Sequence, residues 1–282
     1  MTPATPTPGP PGLRSRRRGQ PPGWPALQSR AVLGALGLAG VAAILELLPR
    51  AGLVSPSYLP PFSAMVAALG HEATSAAFWR ALLDTIEGWA LGLVIAVALG
   101  SVAGVVIGSL RGLRVATSST IEFLRPIPSV ALIPVAVLLY GAQLRSTLLL
   151  VVYAAFWPVL LQVIHGIADV DPVARDTAAS YRFSTWARIR YLLLPSSLPY
   201  LMTGLRLSAA VALILAITSE LVIGVPGLGK ELGLATSGGA VATMYALILV
   251  VGLFGLAVNV GFRALERRVL AWHTSVRLEA VT

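Results

Sequence analysis

Six stretches of this chain are long and apolar enough to cross a lipid bilayer, and no other feature of the sequence restricts its fold as much. A spanning helix needs roughly 20 mostly apolar residues at about 1.5 Å each, because hydrocarbon cannot satisfy a bare backbone amide. The stretches cover residues 31–48, 82–110, 117–140, 147–164, 200–223 and 243–262. The third is the least regular, since Glu122, Arg125, Pro126 and Pro128 crowd its start. Of the 282 residues 56% are hydrophobic and only 12% are charged. Soluble domains carry about 25% charged residues, and disordered chains hold far less apolar mass. The expected fold is therefore an all-α polytopic membrane protein with about six transmembrane helices.

The basic residues orient those helices. Twenty of the 21 are arginine, and 17 of the 21 gather at one set of loop ends if the N-terminus is cytoplasmic. Only Arg50, Arg80, Arg145 and Lys230 fall on the other side. Arginine and lysine are retained in the cytoplasm during insertion, so both termini are expected there, in a bacterial inner membrane. Residues 1–30 read as a disordered, basic, Pro/Gly-rich tail and 269–282 as a short C-terminal tail. The run of arginines at 14–18 suits a topogenic tail rather than a nucleic-acid site. The stretch 31–48 is longer than a signal-peptide core, and Glu46 to Arg50 makes a poor cleavage site, so it reads as a first membrane helix.

Catalytic chemistry has little support. Cysteine is absent, which excludes disulfides, thiolate metal sites and cysteine nucleophiles. His71, His165 and His273 are too dispersed for a zinc site, and no serine elbow or carboxylate pair is present. Gly224 to Lys230 approaches P-loop spacing, but Glu231 stands where a magnesium-binding hydroxyl is needed. A turn or short re-entrant segment explains those glycines better. The chain is expected to be no enzyme and to bind no metal or cofactor.

Within the spans, Gly88, Gly92, Ala96, Gly100, Gly104 and Gly108 recur every four residues, a flat stripe on which another helix backbone can pack. Pro134 and Pro158 fall inside spans, where they are expected to kink or open the helix. Arg206 and Glu220 lie near opposite ends of the fifth span and read as interfacial groups. Pro134, Arg206 and Glu220 are the candidate pathway or gating residues.

The longest polar interruption after the tail is the cytoplasmic loop 169–199. Asp171 followed by Pro172 signals a helix start, carried through Tyr181, and Ser184 can cap a second helix that Pro195 ends. Ser197 and Pro199 would then begin the fifth span. Arginines beside Ala178, Tyr181, Phe183, Trp186, Ile189 and Leu193 suit either a membrane-surface pair or a plug that docks into another protein.

On these residues the chain resembles the permease subunit of binding-protein-dependent ABC importers, in the nitrate/sulfonate/taurine branch, over about residues 60–268. The loop motif of that family is Glu-Ala-Ala, three residues, Gly, then an interval to Leu-Pro. Here the matching positions are Asp176, Thr177 and Ala178, with Arg182 in place of the glycine, followed by Trp186, Leu194 and Pro195. Further likeness lies in 125–134, in Gly204 to Arg206, at Glu220 and in Gly227 to Gly229. The resemblance implies a type I importer permease fold, with 31–48 as an extra first helix and 169–199 as the coupling loop. It also implies a second copy of the chain, a separate ATPase that uses the ATP, an extracytoplasmic solute-binding protein and contact with lipid. The implied cargo is a small anion. Arg182 would carry a Cβ penalty if the turn needs a left-handed residue. A stand-alone channel or secondary transporter is the alternative, and it would call for a coupling-ion site or inverted repeats, neither of which is visible.

Overall fold

The computed structural model describes residues 30–271; the basic N-terminal tail and nearly all of the C-terminal tail lie outside the described residues. The described residues are helical throughout, with no strand. In order come α1 (Arg30–Arg50), α2 (Phe62–Glu72), α3 (Ala76–Ser109), α4 (Arg111–Leu124), α5 (Ile133–Tyr140) and α6 (Leu144–Ala168). Then follow α7 (Pro172–Ser180), α8 (Thr185–Arg188), α9 (Leu194–Ile223), α10 (Leu228–Ser237) and α11 (Val241–Val269). Five helices are long and apolar enough to span a membrane. With the bent pair Arg111–Leu124 and Ser129–Tyr140 as a sixth crossing, alternation puts α2 and α10 at the outer end and α7 and α8 at the arginine-rich inner end.

The glycine stripe of α3 finds its partner in the same chain. It packs in parallel against α6, pairing Gly88 with Thr147, Gly92 with Val151, Gly100 with Val159, Gly104 with Val163 and Gly108 with Ile167. A Cβ at Gly100 would stand 2.9 Å from the Val159 Cβ, and one at Gly104 2.7 Å from the Val163 Cβ. Each valine therefore occupies the space a side chain on α3 would need, so the backbones approach as closely as small residues allow. α9 runs antiparallel along an adjoining face of α6, with Thr147 touching both neighbours. Gly166 there accepts the backbone of Ser197, Ser208 donates to the Ala155 carbonyl at 2.7 Å, and Ser219 donates to Thr147 at 3.0 Å. The shared core is correspondingly alanine-rich: Ala96, Ala155, Ala209, Ala212 and Ala216 are wholly enclosed.

α1 is attached differently. Only 6% of its apolar window is buried, and its carboxylate Glu46 reaches across to α2, accepting from the Ser63 amide at 2.8 Å and the Ser63 hydroxyl at 3.0 Å. Pro61, at the N-cap position of α2, supplies no side-chain acceptor, so the cap comes from another helix.

Two expectations fail. The stretch 117–140 is not one straight span: α4 and the segment Ser129–Tyr140 meet at an 80° bend. Pro126 and Pro128 interrupt it after Arg125, which still holds helical angles, because each proline removes a backbone donor and its ring crowds the preceding turn. Pro134 consequently sits in the first turn of α5, where proline is compatible with a helix, and does not kink a continuous one. Pro195 and Pro199, in turn, do not end and restart a helix, since residues Thr185–Ile223 form one helical run. A π-helical turn over Ile189–Leu193 makes this possible, with the Leu194 amide donating to the Ile189 carbonyl five residues back. The widened turn accommodates the proline that follows it.

Candidate functional site

The inner loop is built by local caps. Asp171 accepts from the Val173 amide at 2.8 Å and Pro172 opens α7. Arg175 then reaches back to donate to the carbonyls of Ile167 and Ala168, closing the last turn of α6 and tying α7 to it. Helix α7 ends with Phe183 N–H bonded to the Ala178 carbonyl and Arg182 N–H to the Ala179 carbonyl, both at 2.9 Å. This paired closure demands a left-handed residue, and Arg182 takes it at φ 50°, alone among the described non-glycine residues. Arg182 thus holds a conformation that glycine adopts without a Cβ penalty. Ser184 caps α8 through the Ala187 amide at 3.2 Å.

The elbow so formed has two faces. Ala178 and Leu193 are buried, and Leu193 joins Val159, Val163, Ile167 and Val170 in a cluster under the loop. Outward stand Tyr181, Trp186 and Tyr191, each more than 70% exposed. Asp176, Thr177, Leu194 and Pro195 are exposed beside them. Sequence reading placed Ala178 and Leu193 in one apolar set with Tyr181 and Trp186; the fold separates them into an anchored side and a free side. Tyr191 escaped notice because helical spacing there is altered by the π turn.

At the outer end the fold assembles a group that local spacing could not reveal. Glu220 is only 1% exposed, so it is an interior group and not an interfacial one. Its carboxylate accepts from the Thr85 hydroxyl and from the Gly229 amide, each at 2.9 Å. Thr85 in turn accepts from the Leu228 amide at 2.9 Å. These amides form the first turn of α10, so the Glu220 carboxyl group caps that helix N-terminus. The P-loop-like glycines are explained by this. A Cβ at Gly227 would overlap the Glu220 carboxylate, one at Gly229 would stand 2.7 Å from the Glu220 Cβ, and Gly227 holds φ 150°.

Of the pathway candidates, Glu220 thus faces protein and Pro134 begins a helix. Arg206 pairs with Glu266 of α11 at 3.3 Å, on the inner half of the bundle. Among the described residues no group of three or more metal-ligating side chains converges.

The family of binding-protein-dependent transport system inner membrane components matches residues 96–271. The taurine transport system permease protein TauC of Escherichia coli (strain K12) is 29% identical over 80% of this chain and 84% of its own length. The riboflavin transport system permease protein RibX of Chloroflexus aurantiacus is 29% identical over 94% of this chain and 96% of its own. Among solved structures, an inward-facing MetNI methionine ABC transporter superposes with a TM-score of 0.61 at 16% identity, covering 68% of this chain and 96% of that one. Its architecture is therefore the same. The family match spans more than half of the chain and includes the elbow, the glycine-zipped pair from Ala96 onward, and Glu220 with the first turn of α10. The chain accordingly belongs to the binding-protein-dependent transport system inner membrane components, as a multi-pass transmembrane permease.

Proposed function

We propose that this permease pairs with a second copy of itself, takes its motion from a separate ATPase, and passes a small anion delivered by an extracytoplasmic solute-binding protein. Relatives named for taurine, aliphatic sulfonates, nitrate and bicarbonate support a compact oxyanion as cargo, while riboflavin marks a wider range. The core of the permease is 60–268, with α1 as an accessory helix held at its Glu46 end.

The observation that carries this reading is the elbow. Exposed aromatics in water are an unfavourable surface unless something covers them. Here they stand on a short helix pair tied to α6 by Arg175 and folded back on itself at the Arg182 turn, at the end the arginines assign to the cytoplasm. A docking ATPase would cover Tyr181 and Trp186 and grip Asp176, Thr177 and Arg182 around the buried Ala178. Leu194 and Pro195 carry its motion into α9. Nucleotide then shifts the balance between inward- and outward-open states by favouring one docked geometry.

Deletion of 173–189, or Ala178→Glu, is expected to abolish co-purification of the ATPase while membrane insertion persists. Undiminished co-purification after the deletion would defeat the reading. Ligand identification on the partner binding protein settles the cargo.

A further inference from the structure

We propose that the break at Arg125, Pro126 and Pro128 opens into a water-filled anion passage, with Arg125 as its contact for a negatively charged solute. The inference rests on the importer reading and adds a location and a residue to it.

Depth is the first argument. Tyr153 is about 14 Å from the outer end of α6 and about 22 Å from its inner end. Its hydroxyl donates to the Leu124 carbonyl at 2.8 Å, so α4 ends, and the break begins, near the middle of the membrane. Irregular backbone at such depth is tolerated only inside protein or beside a water-filled cavity. Yet α4 has no buried residue, and Glu122, Arg125, Pro126 and Pro128 are all exposed.

Charge is the second. Glu122 and Arg125 have no ion-pair partner among the described residues. Snorkelling serves arginines near helix ends, and a charge left in mid-bilayer hydrocarbon costs about 3 kcal/mol on insertion scales. Lipid is thus a poor neighbour for this face. The third argument is shape. α4 stands off the bundle, leaving a cavity of about 460 Å³ with Arg114, Ser118, Glu122 and Arg125 on one side and Leu161 and Ile164 on the other. Two arginines against one glutamate leave it net positive, the lining used by anion pores.

The chain lacks cysteine, so single cysteines report cleanly. Ser118→Cys and Glu122→Cys, in the full complex in sealed vesicles, are treated with a charged, membrane-impermeant methanethiosulfonate. Leu138→Cys, on the 86% exposed apolar side of α5, is the control. Modification should be at least about tenfold faster than at the control, the direction set by the penalty on a charged reagent in lipid. Millimolar ethanesulfonate should slow it, and Arg125→Gln should remove that slowing, the protected and unprotected rates being compared within each variant. Rates equal to the control overturn the passage, as do rates that rise only when the two copies are separated. Protection that survives Arg125→Gln overturns the role of Arg125. ATPase association is read in the same preparation. If it persists while labelling stays slow, this inference fails and the importer reading stands.

Discussion

At the outer end, Glu220, Thr85 and the first amides of α10 satisfy one another inside a dry core. At the inner end, Tyr181, Trp186 and Tyr191 stand in solvent on an elbow whose turn is held by an arginine at φ 50°. Both regions are loops between membrane helices. In the first, the Thr85 hydroxyl and the Leu228 and Gly229 amides all find acceptors in the same chain, so its stability is intrinsic. The second is incomplete, and its missing contacts must come from another protein. An element built for stability should respond to substitution in the isolated subunit, and an element built for docking should respond only in the complex.

The comparison breaks most readily at Glu220. Glu220→Ala strands the Thr85 hydroxyl and the Gly229 amide in a buried site, and an unsatisfied buried group costs about 1–3 kcal/mol. A loss of about 3 kcal/mol is expected in detergent-solubilised thermal unfolding, with Glu220→Gln losing less because it keeps an acceptor oxygen. A subunit equally stable with alanine would show that the outer knot is not what holds α10. At the elbow, Trp186→Ala should weaken ATPase binding by about 2 kcal/mol, as for a central aromatic anchor. The isolated subunit should unfold within about 0.5 kcal/mol of the unaltered one. A matching loss of stability would mean the two regions obey one rule. The smallest effect is expected from Arg182→Gly. Relief of the left-handed strain, partly offset by glycine's greater freedom in the unfolded chain, should stabilise by about 0.5–1 kcal/mol in the same unfolding measurement.

Hydropathy located α1, α3, α6, α9 and α11 because a long apolar run has few other uses, and caps at Asp171 and Ser184 announced the elbow helices directly. Composition is blind to direction, however. The stretch around Arg125 has enough apolar residues for a span, and only backbone geometry reveals that its halves diverge. Pro195 reads as a stop and Pro199 as a fresh start because proline removes a donor, but a π turn upstream lets one helix run through both. The Glu220 cap was out of reach for a different reason. Its partner Thr85 lies 135 residues away in sequence, and the neighbouring glycines, which read as a turn or short re-entrant segment, do not name the carboxyl group packed against them. Arg182 is the intermediate case: the resemblance pointed to a strained turn, and the hydrogen bonds supply the reason for it.

The register between α3 and α6 has a mechanical consequence. Sliding one helix along the other by a single residue would carry the valine methyls off the glycines and into the larger side chains that flank them, so the pair resists shear and moves as one stiff rod. Deformation during transport is thereby concentrated where such interlocking is absent: at the bend between α4 and α5, and along the loosely seated α1.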